Sequence, residues 1–257
     1  MTDDLDTALA ALHRSHDRLT RTLASLDDEQ VAGPSYHSWS IAQVASHLGS
    51  QAEVFGLFLE AGRTGDPSPG MEEFQKIWAR WDAKAPADQA RDSGTANRAF
   101  LDQVDALGDD EREKWRLDLF GAESDLTGLV RMKLSEHAVH TWDVQAALDP
   151  AATLPEDAVT EILSNVGGLT ARAGKPDGAE ADVAVVTAGP ERSYRLRLAG
   201  DSATLTEEAT HGAPTLALPA EALLRLLYGR LDADHTPTGV RADGVDLDLL
   251  RRSFPGF

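Results

Sequence analysis

The chain has 257 residues, of which 42% are hydrophobic and 26% are charged, a composition typical of soluble globular proteins. It contains no cysteine, which excludes disulfide frameworks, cysteine-based zinc sites, iron–sulfur clusters and a cysteine nucleophile. Its 24 basic residues face 43 acidic ones, for a formal net charge of −19. Because so acidic a surface repels phosphate backbones, we expect no nucleic-acid partner.

The first six residues, MTDDLD, have neither the basic nor the apolar region of a signal peptide. No apolar run approaches the ~20 residues that a membrane-spanning helix needs. We therefore expect a cytoplasmic protein without a membrane partner, active as a monomer or a homodimer.

The first 150 residues predict a bundle of four main helices with one long connection. The second helix has the clearest start, because Ser40 and Gln43 form a capping box and Trp39 is placed to pack on Val44 as a hydrophobic staple. Apolar residues at helical spacing define the segments at 5–26, 40–62, 71–84, 87–107 and 123–148.

After Pro150 the pattern changes to short alternating runs that favour strands. Strands are expected at Val183–Thr187, Tyr194–Leu198, Ala203–Thr206, Thr215–Leu218 and near Val240, and helices at 155–173, 219–229 and 245–252. The predicted fold class is therefore α+β, with a helical bundle over residues 1–150 and a small α+β domain over 151–257.

One segment of the fourth main helix carries residues suited to binding a metal ion. Glu136 and His140 are four residues apart, so on a helix both side chains leave the same face and can reach one ion. Asp143, three residues further on, can accept the second ring N–H of His140. The same spacing also fits a solvated acid–histidine pair on the surface.

His47 lies on an otherwise apolar face of the second helix, where it is either a hydrogen-bonded core histidine or a third ligand. Together with Glu136 and His140 it would give two histidines and one carboxylate with a fourth position open, the ligand count of catalytic zinc. His137 is a rival ligand, but it points about 100° away from Glu136 on a helix.

Four other histidines are expected to be solvated on the surface, namely His13, His16, His211 and His235.

The segments Ser38–Leu48 (SWSIAQVASHL) and Ser135–Val144 (SEHAVHTWDV) together resemble the mycothiol-dependent maleylpyruvate isomerase family. That family belongs to a wider DinB-like group of metal-binding helical bundles. The resemblance covers the whole chain and implies a DinB-like four-helix bundle followed by a domain similar to sterol-carrier folds. It also implies that His47, Glu136 and His140 hold a divalent ion, typically zinc.

The resemblance further implies mycothiol, a sugar–cysteine conjugate of actinobacteria, as thiol cofactor. A chain without cysteine needs such an external sulfur nucleophile, and zinc favours the thiolate form of a bound thiol. Addition of the thiol to a small electrophile, rotation and elimination would give a cis–trans isomerase, whereas retention of the thiol on the product would give an S-transferase.

The family also uses an arginine of the second domain near the site, suited to a substrate carboxylate. The segment Leu226–Leu231 matches that place, which makes Arg230 the candidate catalytic residue, with Arg225 as its competitor.

The sequence thus predicts a metal- and mycothiol-dependent isomerase or transferase. The alternatives are a non-catalytic module that binds a metal or a small ligand, and a metal-free regulatory or interaction protein.

Overall fold

A computed structural model describes residues 2–36, 38–208 and 214–256 of the chain. The chain forms two compact units, Met1–Asp149 and Pro150–Phe257. Within the described residues, no helix combines the length and the apolar character that crossing a membrane requires.

The first unit is built around four long helices. Helix α1 packs on α7 and on α5, and α3 packs on α5 and on α7, so the predicted four-helix bundle is confirmed. Its elements are α1 (Thr2–Ala24), α2 (Asp28–Ala32), α3 (Ile41–Thr64), α4 (Met71–Asp82), α5 (Pro86–Asp105), α6 (Asp109–Lys114), β1 (Arg116–Leu119), β2 (Ala122–Asp125) and α7 (Leu126–Leu148).

Local hydrogen bonds fix where α3 begins. The Ser40 hydroxyl accepts from the Gln43 amide at 3.1 Å, and the Gln43 side chain accepts from the Ser40 amide at 2.8 Å. Two otherwise unpaired backbone donors are thereby satisfied, which confirms the capping box. The helix ends where Gly65 adopts the left-handed conformation, with φ of 77°.

Apolar side chains from all four long helices meet in the core of this unit. Leu12 of α1, Leu48 of α3, Leu101 of α5 and Leu134 of α7 are each at most 1% exposed. Burial of each such side chain contributes about 1.5–3 kcal/mol of hydrophobic stabilisation. The bundle therefore has an apolar core that does not depend on a bound ion.

A β-hairpin replaces the first turn of the expected helix at 123–148. Strands β1 and β2 pair antiparallel, and their turn contains Phe120 and Gly121 with φ of 59° and 87°. Two successive positive φ angles are characteristic of the tight hairpin turn, and glycine adopts them without strain. Asp125 then caps α7 by accepting from the Gly128 amide at 2.8 Å, so the helix begins at Leu126.

In its described residues, the second unit combines a five-stranded sheet with four short helices, in agreement with the predicted α+β class. The strand order is β5-β4-β3-β6-β7, with β3 and β6 parallel and all other neighbours antiparallel. The elements are α8 (Glu156–Leu163), α9 (Val166–Ala173), β3 (Ala181–Ala188), β4 (Arg192–Ala199), β5 (Ser202–Glu207), β6 (Thr215–Pro219), α10 (Ala220–Leu227), β7 (Arg241–Asp243) and α11 (Leu247–Ser253).

The single helix expected over 155–173 is two helices. The Ser164 hydroxyl donates to the Glu161 carbonyl at 2.6 Å, and Asn165 leaves the helical conformation with φ of −125° and ψ of 33°. A serine hydroxyl competes in this way for a backbone carbonyl, and with the non-helical backbone of Asn165 it ends α8 before α9 begins.

Candidate metal centre

Three side chains of the bundle converge at one point. His47 of α3 and Glu136 and His140 of α7 each offer a ligand atom, and these atoms all lie within 4.8 Å of one another. His47 Nε2 lies 3.3 Å from Glu136 Oε2, and His140 Nε2 lies 3.8 Å from the same oxygen. The two imidazole rings meet edge to face with centroids 4.6 Å apart.

The local sequence explains this convergence. One helical turn separates Glu136 from His140, so the two side chains leave α7 on the same side. Helix α3 packs against α7, which brings His47 to that side. All three residues are partly buried, so they are held by their neighbours and still reach solvent.

Asp143 holds the ring of His140 in place. Its Oδ2 lies 2.8 Å from His140 Nδ1, and because a carboxylate only accepts, this ring nitrogen carries the hydrogen. In a neutral ring the Nε2 atom is then the one with a free lone pair, and it is the atom nearest Glu136. Asp143 is itself 2% exposed, so the contact is shielded from water.

The pKa shifts of His47 and Glu136 suit metal binding. Burial lowers the pKa of His47 below its usual 6.5, although the hydrogen bond with Glu136 opposes this shift. Burial alone would raise the pKa of Glu136, but the hydrogen bond with His47 and nearby positive charge lower it to about 2. The groups therefore favour a neutral imidazole and an ionised carboxylate at neutral pH, the protonation states that a metal ligand needs.

The donor set fits a divalent transition metal. Two imidazole nitrogens and one carboxylate oxygen are the ligands that zinc takes in catalytic sites, where one position stays open for a further ligand. In the described part of the chain, no other group of three histidine or carboxylate side chains comes together in this way.

Trp39 forms a wall of this site. Its indole stacks on His140, with centroids 5.8 Å apart and planes 17° apart, and lies 5.2 Å from His47. The side chain remains 40% exposed. The sequence analysis predicted only that Trp39 packs on Val44 as a hydrophobic staple. The place of Trp39 just before the helix cap does not show that its ring also contacts a residue of another helix.

His137 lies away from the candidate metal centre, as its position one residue after Glu136 indicates. It is fully buried, and its Nδ1 lies 2.8 Å from the Ser15 hydroxyl and 3.3 Å from the Thr141 hydroxyl. His16 is beside it, with ring centroids 6.4 Å apart.

The expectation that His16 is solvated is wrong, since the residue is 4% exposed where α1 packs on α7. The expected exposure holds in part for His13, which lies 3.1 Å from Asp105 and is 28% exposed. His235 is partly buried and bonds to Asp232. His211 lies outside the described residues.

Lys133, one turn before Glu136, is a buried cation that the sequence analysis did not single out. It is fully buried, its Nζ donates to the Leu48 carbonyl at 3.3 Å, and it lies over the Phe55 ring. Burial lowers its pKa to about 7. The one sequence feature that could have predicted its burial is its position on an otherwise apolar stripe of α7.

The two arginines considered in the second unit have different surroundings. Arg225 is 2% exposed and forms a bidentate ion pair with Glu221, at 2.7 and 2.9 Å. Such pairing is typical of a structural arginine. Arg230 is 8% exposed, and its Nη1 donates to the Tyr228 carbonyl at 2.8 Å.

Comparison with known proteins gives matches over both units. The family model described as the mycothiol maleylpyruvate isomerase N-terminal domain matches residues 12–145, and the model of the MDMPI C-terminal domain matches residues 153–251. A search of curated proteins gives no significant match.

Two solved structures are similar over 94% of this chain and 94% of their own. One is the crystal structure of the mycothiol-dependent maleylpyruvate isomerase, with a TM-score of 0.68 and 16% sequence identity. The other is a histidine-to-alanine mutant of the mycothiol-dependent maleylpyruvate isomerase, with a TM-score of 0.69 and 16% identity. At this level of identity the likeness concerns the fold.

Proposed function

Because this chain belongs to the mycothiol maleylpyruvate isomerase family, we propose that it uses mycothiol and a divalent metal ion, zinc foremost, to act on a small electrophilic substrate. The reaction is a cis–trans isomerisation of the maleylpyruvate type or a transfer of the thiol to the substrate. The observation that carries the proposal is the convergence of two imidazoles and one carboxylate within 4.8 Å. We place this enzyme in the cytoplasm.

In this proposal His47, Glu136 and His140 hold the ion. Asp143 keeps the Nδ1 hydrogen on His140 and so directs the Nε2 lone pair toward the centre. Trp39 limits the approach of water from one side, because its indole stacks on the His140 ring and lies at a tilt beside the His47 ring. A divalent cation, when bound, favours the thiolate over the thiol and so provides a sulfur nucleophile near neutral pH.

Arg230 is proposed to bind a carboxylate of the substrate. Its planar guanidinium can donate two parallel hydrogen bonds to a carboxylate. The hydrogen bond from Nη1 to the Tyr228 carbonyl fixes one side of the guanidinium.

The test uses the zinc-loaded full chain with mycothiol and maleylpyruvate, followed by NMR. Turnover that needs the thiol but does not consume it indicates isomerisation, whereas one thiol lost per product indicates transfer. We expect the Glu136→Ala variant to lose about 100-fold or more of the activity, because the ion loses one of its three ligands. If a zinc-loaded wild-type chain turns over neither this substrate nor a panel of small electrophiles, the chain is a non-catalytic binding module.

A further inference from the structure

A loop of the second unit joins α10 to β7 and carries Arg230, the residue proposed above to bind a substrate carboxylate. All residues of this loop, 228–240, are described, and no helix or strand lies within it. The backbone of such a loop is held by side chains and turns and not by a regular hydrogen-bond ladder. The orientation of Arg230 therefore depends on the contacts that hold this loop.

The turn that leads into Arg230 is fixed by backbone contacts. Gly229 has a φ of 73°, and a Cβ atom added there would lie 2.6 Å from the Gly256 amide nitrogen, so the tail after α11 leaves room only for glycine. The Arg230 amide donates to the Arg225 carbonyl at 2.6 Å. The chain on the N-terminal side of Arg230 is thus held against α10 and the tail.

Arg251 of α11 holds the chain on the other side of Arg230. Its Nε donates to the Leu231 carbonyl at 2.7 Å, and its Nη2 donates to the Thr236 hydroxyl at 2.6 Å. Its Nη1 donates to Asp248, one turn earlier on α11, at 2.6 Å. Because this ion pair orients the guanidinium, one side chain holds both ends of the segment 231–236 in a defined direction.

Arg225 of α10 makes a further contact with the middle of the loop. Its Nη1 donates to the His235 carbonyl at 2.6 Å, while Nε and Nη2 bind Glu221. Loss of Arg225 would leave the buried Glu221 carboxylate without this ion pair, which lowers stability as well as loosening the loop. Arg251 is only partly buried, so its effect on the loop can be tested separately.

Orientation matters for a guanidinium that binds a carboxylate. The two parallel hydrogen bonds form only when both groups lie in one plane, and a rotation of the guanidinium loses one of them. We infer that Arg251 is a positioning residue, which holds the loop 228–240 so that the Arg230 guanidinium keeps the orientation that a substrate carboxylate needs. This inference rests on the proposed function, in which Arg230 binds that carboxylate.

Steady-state kinetics of the zinc-loaded full chain with mycothiol and maleylpyruvate tests the inference. We expect Arg251→Gln to raise KM about tenfold and to keep kcat within about threefold, whereas partial unfolding would lower kcat and keep KM. Arg251→Lys keeps the charge but not the planar fork, and should raise KM nearly as much. In an Arg230→Gln background, Arg251→Gln should raise KM no further, because the group that it positions is absent.

Amide hydrogen exchange of residues 230–236 gives a measurement that does not need activity. We expect Arg251→Gln to speed this exchange about tenfold or more, since the bonds that hold the segment are lost. Arg252→Gln is the matched control, an exposed arginine next to Arg251 on α11, and it leaves exchange and KM unchanged. If Arg251→Gln does not fold, Thr236→Val carries the test, because it removes only the hydroxyl that accepts from Arg251.

Three results would overturn the inference and leave the proposed metal- and thiol-dependent activity intact. They are unchanged exchange in Arg251→Gln, an equal rise of KM with and without Arg230→Gln, and a wild-type KM in Arg230→Gln alone. A wild type that turns over neither maleylpyruvate nor other small electrophiles overturns the proposed function, and the inference with it.

Discussion

Helix α7 carries two polar faces that differ in access to solvent. On one face Glu136 and His140 are partly exposed and meet His47 across the helix pair. On the other, Lys133 and His137 are fully buried. On the first face, nitrogen and oxygen atoms point toward a common position. On the second face, the polar atoms form hydrogen bonds with residues of neighbouring helices.

This difference in solvent access indicates that the first face can bind an ion and that the second holds α7 against its neighbouring helices. The ligand atoms of the exposed face are within reach of an ion arriving from solvent. The bonds from His137 to Ser15 and from Lys133 to the Leu48 carbonyl tie α7 to α1 and α3, the helices on either side. We therefore expect changes on the first face to alter metal binding and changes on the second to alter stability.

The largest expected effect is in zinc affinity. His140→Ala should lower it by more than about 100-fold, because a ligand is lost. His137→Ala, its neighbour on the other face, should keep the affinity within about threefold of wild type and instead lower the free energy of unfolding by about 1–3 kcal/mol. Competition with a zinc-binding dye and urea unfolding measure the two quantities. Equal loss of zinc in both variants would contradict the assignment of the metal ligands to the face of α7 that carries Glu136 and His140.

A second effect concerns Lys133 and depends on pH. Burial lowers its pKa to about 7 in the folded chain from 10.5, with Glu136 opposing the shift. Between pH 7 and pH 10.5 the unfolded chain binds more protons than the folded chain. The free energy of unfolding therefore rises with pH across this window, and the gain is lost as the pH falls from 10.5 to 7.

Lys133→Met removes this dependence. We expect it to raise the free energy of unfolding at pH 7 by about 1–4 kcal/mol, a gain that shrinks toward pH 10. Urea unfolding at both pH values, beside the exposed-site control Lys76→Met, measures the difference. A variant less stable than wild type at both values contradicts the assignment.

A smaller effect is expected at Asp143. Asp143→Asn keeps the size of the side chain but weakens the hold on His140 Nδ1, and should lower zinc affinity about 10- to 100-fold. Asp149→Asn, just after the end of α7, serves as control for the loss of one negative charge. An unchanged zinc affinity in Asp143→Asn would mean that the contact does not position the ligand.

Local sequence rules predicted those parts of the fold that depend on neighbouring residues. The capping box at Ser40 and Gln43 set the start of α3, and the four-residue spacing of Glu136 and His140 put both on one face of α7. The hairpin before α7 was missed because its turn places Phe120, and not a second glycine or asparagine, at a positive φ.

Features that depend on packing between helices were not predictable in this way. His16 has charged neighbours in the sequence, which suggest exposure, yet it is buried where α1 meets α7. The contact of Trp39 with His140 links residues about a hundred positions apart, and no periodicity encodes it. The candidate ligands were predicted from the spacing of Glu136 and His140 on one helix and from the place of His47 on an otherwise apolar face of another, and the family resemblance implied the same three residues.

The most direct test of the central claim, that His47, Glu136 and His140 hold one divalent ion, is elemental analysis of the purified, zinc-supplied chain beside its Glu136→Ala and Glu60→Ala variants. Glu60 lies on α3 and pairs with Arg63 at the surface, so it is the matched control. We predict about one zinc per chain in the wild type and in Glu60→Ala, and none in Glu136→Ala. No zinc in the wild type, or full zinc in Glu136→Ala, would contradict the claim.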